Sequence, residues 1–283
     1  MTLTNLNKYL NEPKYWLLAI ATGLIVIHIT LASRSGNSDF SGTMFLVWGI
    51  VIYLLWEKKE KIPLESDILS TGVGVILMSL ILIKSSAVVG YDYFLRIFPL
   101  LATLSIGLMA SGFKGLKTYL PQGIIFLWVA IPPGAILKII DLSLLTAKTS
   151  ALILHYTGYN VTRQGLFLRL PTGSVEVYDG CAGANIIHQL LGLSLIFLLM
   201  FPTNLTQKIV LPLAAIFIAF FLNSIRVALM AVLISYSTKD SFEYWHQGDG
   251  SLIFSMIAVG LFGIFCWLTV LRTPPQDNNT QNC

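Results

Sequence analysis

Charged residues are scarce in this chain. Asp, Glu, Lys and Arg make up 11% of its 283 residues, whereas hydrophobic residues make up 55%. Soluble domains carry about 25% charged residues, so the composition excludes a soluble globular fold and indicates an integral membrane protein. The net charge of +4 is small, and Lys and Arg lie mostly between apolar runs, so nothing in the charge pattern indicates nucleic-acid binding.

Cysteine and histidine are also few. Cys181, Cys266 and Cys283 lie far apart, and the sequence has neither a CxxC motif nor a histidine-rich segment. These absences argue against a disulfide framework and against a zinc site, and we expect no cofactor. The absence of an internal repeat also weakens a transporter built from inverted repeats.

Long apolar runs are what the chain has instead. Eight of them reach or approach the roughly 20 residues that cross a hydrocarbon core of about 30 Å. These runs cover 15–33, 43–56, 68–84, 94–111, 121–137, 184–201, 208–235 and 251–272. A shorter run, Leu142–His155, carries Lys148 and predicts a helix at the membrane interface. We therefore expect an all-α membrane protein with about eight spans.

The expected organisation is a single polytopic domain, residues 1–283. Five spans occupy 1–137, an extracytoplasmic segment 138–183, three spans 184–272, and a cytoplasmic tail 273–283. Within the extracytoplasmic segment, GLFLRL and SVEVYDG alternate apolar and polar residues around PTG, which is typical of a β-hairpin. The basic cluster KKEK at 58–61 favours both termini in the cytoplasm by the positive-inside rule.

Cys181 lies where the polar segment ends and an apolar run begins. If the helix starts at Asp179 or Gly180, Cys181 is in its first turn, where free N–H groups and the helix dipole favour a nucleophilic thiolate. Asn185 and His188 follow on the same helix face and are candidates to line a cavity beside it. The alternative is a small, inert core cysteine.

Arg226 and His246 are the other two candidates for chemistry. An arginine inside a spanning helix is costly, so Arg226 should face a polar cavity or a partner, and Asn223 lies on the same face three residues earlier. The alternative is an ion pair that packs helices. His246 can exchange a proton near neutral pH, although a loop histidine can also be merely solvated.

The alternation of spans places all three residues at one membrane face. A thiol, a guanidinium and an imidazole are the nucleophile, oxyanion stabiliser and acid/base that acyl transfer needs. Two other classes of function stay open at this point. One is a transporter or channel in which Arg226 and His246 line a substrate path, and the other is a non-catalytic membrane assembly factor.

Three short motifs, DGCAG at 179–183, LNSIR at 222–226 and HQGDG at 246–250, resemble the exosortase/archaeosortase family, with the cyanobacterial exosortases as the most similar branch. Ala182 departs from the family, in which serine commonly follows the cysteine. The resemblance implies a multi-pass protein of the bacterial cytoplasmic membrane with its active site on the extracytoplasmic face. It also implies a cysteine peptidase or transpeptidase, acting on exported proteins that end in a Pro-Glu-Pro-type motif, a membrane helix and a basic cluster.

The resemblance also implies a role for each catalytic candidate. Cys181 would form a thioester with the substrate, Arg226 would stabilise the oxyanion, and His246 would protonate the leaving amine and activate an acceptor, either water or an amine. The expected partners are these exported proteins and the lipid bilayer. Our own hypothesis adds Arg163 or Arg169 of the predicted hairpin as a binding partner for the glutamate of the signal.

Overall fold

The computed structural model describes residues 12–138, 140–246 and 249–272. These residues form α-helices, short 3₁₀ and π turns, and one small sheet, so the expected all-α membrane class is confirmed. Within these residues, seven helical segments are long and apolar enough to cross a membrane. The chain divides between Pro132 and Pro133 into an N-terminal and a C-terminal compact unit.

The described part of the N-terminal unit, residues 12–132, is mainly helical, and several of its helices begin at residues suited to that position. Pro13 opens the first helix, where its missing N–H costs nothing. The side chains of Asn37 and Asp67 accept hydrogen bonds from backbone N–H groups three residues later, and so cap the second and third helices. The α-helices in its described residues are α1 (Pro13–Arg34), α2 (Ser38–Glu57), α3 (Ile68–Ser86), α4 (Phe94–Gly115) and α5 (Leu120–Ala130).

The C-terminal unit combines helices with the sheet. Its longest helix has 32 residues and starts with a capping box, in which the side chains of Asn204 and Gln207 bond to each other's backbone N–H groups. Its elements are α6 (Leu142–Tyr156), β1 (Thr162–Gln164), β2 (Phe167–Leu170), β3 (Gly173–Glu176), α7 (Ala184–Met200), α8 (Leu205–Tyr236), α9 (Lys239–His246) and α10 (Asp249–Cys266).

Seven segments qualify as spans by length and composition, but one of them, Phe94–Ala130, has 37 residues and is not a single helix. Its backbone is non-helical at Gly112, and at its start Tyr93 Oη and Arg96 Nη1 donate to the carbonyls of Ala130 and Val129 at its end. The stretch therefore folds back as two antiparallel arms that correspond to the predicted spans 94–111 and 121–137, and the expectation of about eight spans agrees with the structure, although the fifth span ends at Ala130 and not at 137. The helix stops at Ile131, which is extended, because a residue that precedes a proline is excluded from helical conformation and Pro132 and Pro133 follow.

The predicted hairpin is confirmed, with one more strand than expected. β2 and β3 pair antiparallel through Leu168 and Val175, and β1 adds to the other edge of β2. One face of β3 packs on α8, where a Cβ on Gly173 would lie 2.9 Å from the Ser235 hydroxyl. β3 then runs directly into the turn that carries Cys181.

His28 joins three helices of the N-terminal unit through its imidazole. Pro99 lies inside α4 and has no N–H, so the carbonyl of Leu95 lacks its helical donor. His28 Nε2 lies 2.8 Å from that carbonyl oxygen, and Trp48 Nε1 donates to His28 Nδ1 at 2.9 Å. Because Nδ1 accepts, Nε2 carries the proton and donates. The buried imidazole thus supplies the hydrogen bond that the proline removes.

We predict that His28→Leu lowers stability by about 1–3 kcal/mol, because it leaves the Leu95 carbonyl and the Trp48 indole N–H unpaired. Pro99→Ala in the same chain restores a helical donor to Leu95, so the His28→Leu cost should then be smaller. Unfolding in detergent titrations of the two single variants and the double variant measures this coupling. Equal costs in both backgrounds would show that the imidazole does not compensate for the proline.

Candidate active site

Cys181 lies in a short 3₁₀ turn, Asp179–Cys181, that follows β3. Its backbone N–H donates to the Tyr178 carbonyl at 2.9 Å. α7 begins only at Ala184, after Gly183, whose φ of +95° is left-handed. The expectation that Cys181 occupies the first α-helical turn is therefore wrong, because Gly183 separates the turn from the helix. The thiol is buried.

Asn223 of α8 holds the turn in place from one side. Its Nδ2 donates to the Cys181 carbonyl oxygen at 2.9 Å, and Asn223 is itself buried. The amide approaches so closely that a Cβ on Gly183 would lie 2.7 Å from Nδ2. Glycine at 183 is therefore required both by the positive φ and by this contact.

Three hydroxyl groups of α6 hold the same region from another side. Ser143 Oγ donates to the Asp179 carboxylate at 3.2 Å, and Thr146 Oγ1 donates to the Ala182 carbonyl at 2.9 Å. Ser150 Oγ donates to a carbonyl of α8, that of Ser224, at 2.9 Å. The helix predicted for 142–155 is present, and its buried polar face ties the turn of Cys181 to α8.

His246 is the residue that meets the thiol. Its Nε2 lies 3.5 Å from Cys181 Sγ, a hydrogen-bonding distance for sulfur. The imidazole stacks on Phe242 of α9 with ring centroids 5.0 Å apart. Arg226 Nη2 donates to the His246 backbone carbonyl at 2.6 Å. The ring is thus oriented by its own helix and by a side chain of α8.

Arg226 is anchored at one end and has a free donor. Its Nε is buried and has no hydrogen-bond partner in the part of the chain that the structure describes. Its positive charge acts on Tyr178, Cys181 and His246, so the guanidinium is within electrostatic range of all three side chains. An unpaired, buried, cationic donor near a thiol can stabilise a substrate oxygen that becomes negative when the thiol attacks.

The surroundings of His246 favour the neutral form of its imidazole. Burial lowers the pKa of His246, the Arg226 guanidinium lowers it further, and Glu243 opposes them. A neutral imidazole has a nitrogen free to accept a proton. Because a lowered pKa keeps the ring neutral down to more acidic conditions, His246 is suited to take the proton of Cys181 at neutral pH.

The remaining predicted residues lie on α7 and on the sheet. Asn185 is exposed, and His188 is buried and has an interaction partner. Arg169 lies on the exposed face of the sheet, opposite Ser174. Arg163 Nη1 donates to the Gly165 carbonyl at 2.8 Å. Among the described residues, no group of three or more His, Cys, Asp or Glu is placed to hold a metal ion.

Sequence reasoning missed four residues of the site. Tyr178, next to the thiol, stands at an ordinary strand end, and nothing in the sequence singled it out. Ser143, Thr146 and Ser150 have a signal, because their spacing puts three hydroxyl groups on one face of a short apolar helix. That pattern indicates a polar contact but does not name the acceptor.

Fold and site together define a multi-pass membrane protein in which a cysteine, a histidine and an arginine from its C-terminal unit converge. Residues 33–263 match the family described as transmembrane exosortase (Exosortase_EpsH). The chain belongs to the exosortase/archaeosortase family of membrane proteins, whose members are cysteine peptidase-type enzymes that process sorting signals.

A curated relative points the same way. The chain is 26% identical over 97 residues to a probable archaeosortase E of Methanocaldococcus jannaschii. The match takes in 34% of this chain and 50% of the relative, so the chain spans about half the length of that protein. No solved structure matches.

We predict that the Thr146 hydroxyl governs the reactivity of Cys181. Thr146→Val keeps the shape but leaves the buried Ala182 carbonyl without its side-chain donor, at about 1–3 kcal/mol, whereas Thr146→Ser keeps the donor. Labelling of Cys181 by a small thiol reagent, followed by mass spectrometry, should slow several-fold in the valine variant only.

Thr157→Val is the matched control, because the Thr157 hydroxyl bonds only to carbonyls of its own helix, those of Ile153 and Leu154. Equal labelling rates for Thr146→Val and Thr146→Ser would rule out a role for the hydroxyl.

Proposed function

We propose that this protein is a membrane cysteine peptidase or transpeptidase that cleaves C-terminal sorting signals of exported proteins through a thioester on Cys181. The observation that carries the proposal is the 3.5 Å contact between Cys181 Sγ and His246 Nε2. A transporter or channel has no need for a nucleophile paired with a base, and an assembly factor has no need for a buried unpaired Arg226 donor beside them.

The first half-reaction uses all three side chains. His246 Nε2 takes the thiol proton as Cys181 Sγ attacks the scissile carbonyl carbon. The carbonyl oxygen becomes negative, and the free Nε–H of Arg226 is the donor available to stabilise it. As the C–N bond breaks, the imidazolium returns its proton to the leaving amine. The product is a thioester between Cys181 and the substrate.

The second half-reaction releases the substrate. His246 accepts the proton of the acceptor, which is water in hydrolysis or an amine in transpeptidation, while the acceptor attacks the thioester carbon. The sulfur leaves and recovers a proton. The same imidazole therefore acts as base and as acid in alternate steps, which its position at hydrogen-bonding distance from the thiol supports.

The proposed substrates are exported proteins that end in a short Pro-Glu-Pro-type motif, a membrane helix and a basic cluster. A substrate with its own membrane helix delivers its scissile bond to the membrane surface, and we assign the site to the extracytoplasmic face of the bacterial cytoplasmic membrane. Arg163 and Arg169 of the sheet are the cations available to the glutamate of the signal. Asn185 and His188 are the α7 residues available to a docked helix.

The nucleophile is tested by Cys181→Ala. We expect complete loss of processing of a co-expressed exported protein with such a C-terminal signal, detected as retention of its full mass, with unchanged amounts of the enzyme in the membrane. Cys266→Ala is the matched control, because this second buried cysteine lies in α10. Processing by the Cys181→Ala variant would refute the proposal and favour a transporter or an assembly factor.

The lowered pKa of His246 sets the acid limb of activity. The neutral base exists above its pKa, so activity should fall as the pH drops through that value. Glu243 raises the pKa of His246, so Glu243→Gln should move the acid limb of kcat/KM to lower pH by roughly 0.2–0.7 unit, as expected for an exposed charge.

Lys208→Gln, which changes a charge at the start of α8, serves as the control for this measurement and should leave the limb in place. An acid limb that moves to higher pH in Glu243→Gln would contradict the assignment of the limb to His246.

A further inference from the structure

A fourth polar side chain reaches the thiol. Tyr178 follows β3, and its phenol lies close enough to the Cys181 side chain for the two groups to influence each other's protonation. Its ring folds back over the 3₁₀ turn, so closely that a Cβ on Gly180 would lie 2.5 Å from Cε2 of the ring. The backbone of the same residue accepts the Cys181 N–H at 2.9 Å. Tyr178 therefore contacts the turn of Cys181 through both its backbone and its side chain.

The strand determines where this side chain points. Val177 is fully buried against α8, together with Val227 and Ala231. Because side chains alternate along an extended chain, Tyr178 emerges on the opposite, open face, where it is 48% exposed. The phenol consequently lies between the open side of the sheet and the buried sulfur.

We propose that Tyr178 is a further catalytic residue, whose hydroxyl donates a hydrogen bond to the Cys181 sulfur after the thiol proton has moved to His246. The proposal rests on the proposed nucleophilic role of Cys181. The sulfur is then held between two groups with opposite functions, an imidazole that accepts its proton and a phenol that stabilises the resulting thiolate. No further reactant is needed, because the proton only passes from Sγ to Nε2.

The phenol is suited to remain a donor. The charge of Cys181 raises the pKa of Tyr178, burial raises it further, and Arg226 opposes them. A raised pKa means that Tyr178 keeps its proton throughout the neutral range, where a donor to the thiolate is needed. Arg226 also contributes a positive charge nearby, but its Nη2 donates to the His246 carbonyl and its Nε is the proposed donor to the oxyanion. Tyr178 and Arg226 therefore act on different atoms.

Gly180 makes this arrangement possible. The ring lies where any side chain at 180 would stand, so a larger residue would push the phenol off the turn. Gly180 is thus explained by the space that the folded-back ring of Tyr178 occupies, and not by an unusual backbone angle.

The test is the pH dependence of alkylation of Cys181 by iodoacetamide in the full-length, detergent-solubilised protein, followed by mass spectrometry of the Cys181 peptide. Tyr178→Phe keeps the ring over Gly180 and removes only the hydroxyl. A lost hydrogen bond to a charged group should move the midpoint of the profile to higher pH by about one unit, which is about a tenfold slower reaction below the midpoint. Tyr156→Phe, at the exposed end of α6, should leave the profile unchanged.

A second variant should shift the midpoint of the alkylation profile in the opposite direction, and it preserves the shape of the side chain. 3-Fluorotyrosine at position 178 is a stronger donor than tyrosine, so the midpoint should move to lower pH. Profiles of both variants that superimpose on that of the unsubstituted protein would overturn the proposal. Alkylation is measured without substrate, so the two proposals can fail separately. A shifted profile in a protein that cleaves no substrate would refute the proposed function but would support the hydrogen bond from Tyr178 to the Cys181 sulfur.

Discussion

The site depends on how two successive backbone carbonyls are satisfied. The carbonyls of Cys181 and Ala182 lie next to an apolar helix, where little water is available to bond them, and an unpaired carbonyl in such surroundings is costly. Asn223 of α8 donates to the first and Thr146 of α6 donates to the second. Cys181 can stand outside a regular helix because two neighbouring helices supply these donors.

The remaining geometry follows from that anchoring. Arg226 is one turn beyond Asn223 on α8, so the helix that holds the turn also carries the guanidinium to the thiol. Arg226 in turn binds the His246 carbonyl and so brings α9 to the same place. Three hydrogen bonds, from Thr146, Asn223 and Arg226, therefore connect four segments that are distant in sequence, and each of them ends on a backbone carbonyl.

The proximity of Cys181 and His246 could be predicted from the sequence because it depends only on the last three spans. The misplaced end of the fifth span, 137 instead of Ala130, had a visible signal in Pro132 and Pro133. Gly183 carried no comparable signal, because a glycine permits a left-handed φ without requiring it. The acceptors of Thr146 and Ser143 lie 36 residues away, and no local pattern encodes such a distance. β1 escaped prediction because TRQ has no apolar alternation.

The length of α8 has a consequence for how the protein meets its lipid. At 1.5 Å per residue its 32 residues extend about 48 Å, and Asn223 and Arg226 lie about 27–32 Å from its first residue. The Cys181 turn, α6, α9 and the sheet are all attached to this far part of one rod. A thinner or thicker bilayer changes the tilt of the rod and so raises or lowers these parts as one body, with their mutual spacing intact. If the protein cleaves substrates that are held by their own membrane helix, as we propose, the bilayer thickness then determines which scissile bonds reach Cys181: those at one distance from the lipid are accepted, and those placed higher or lower are not.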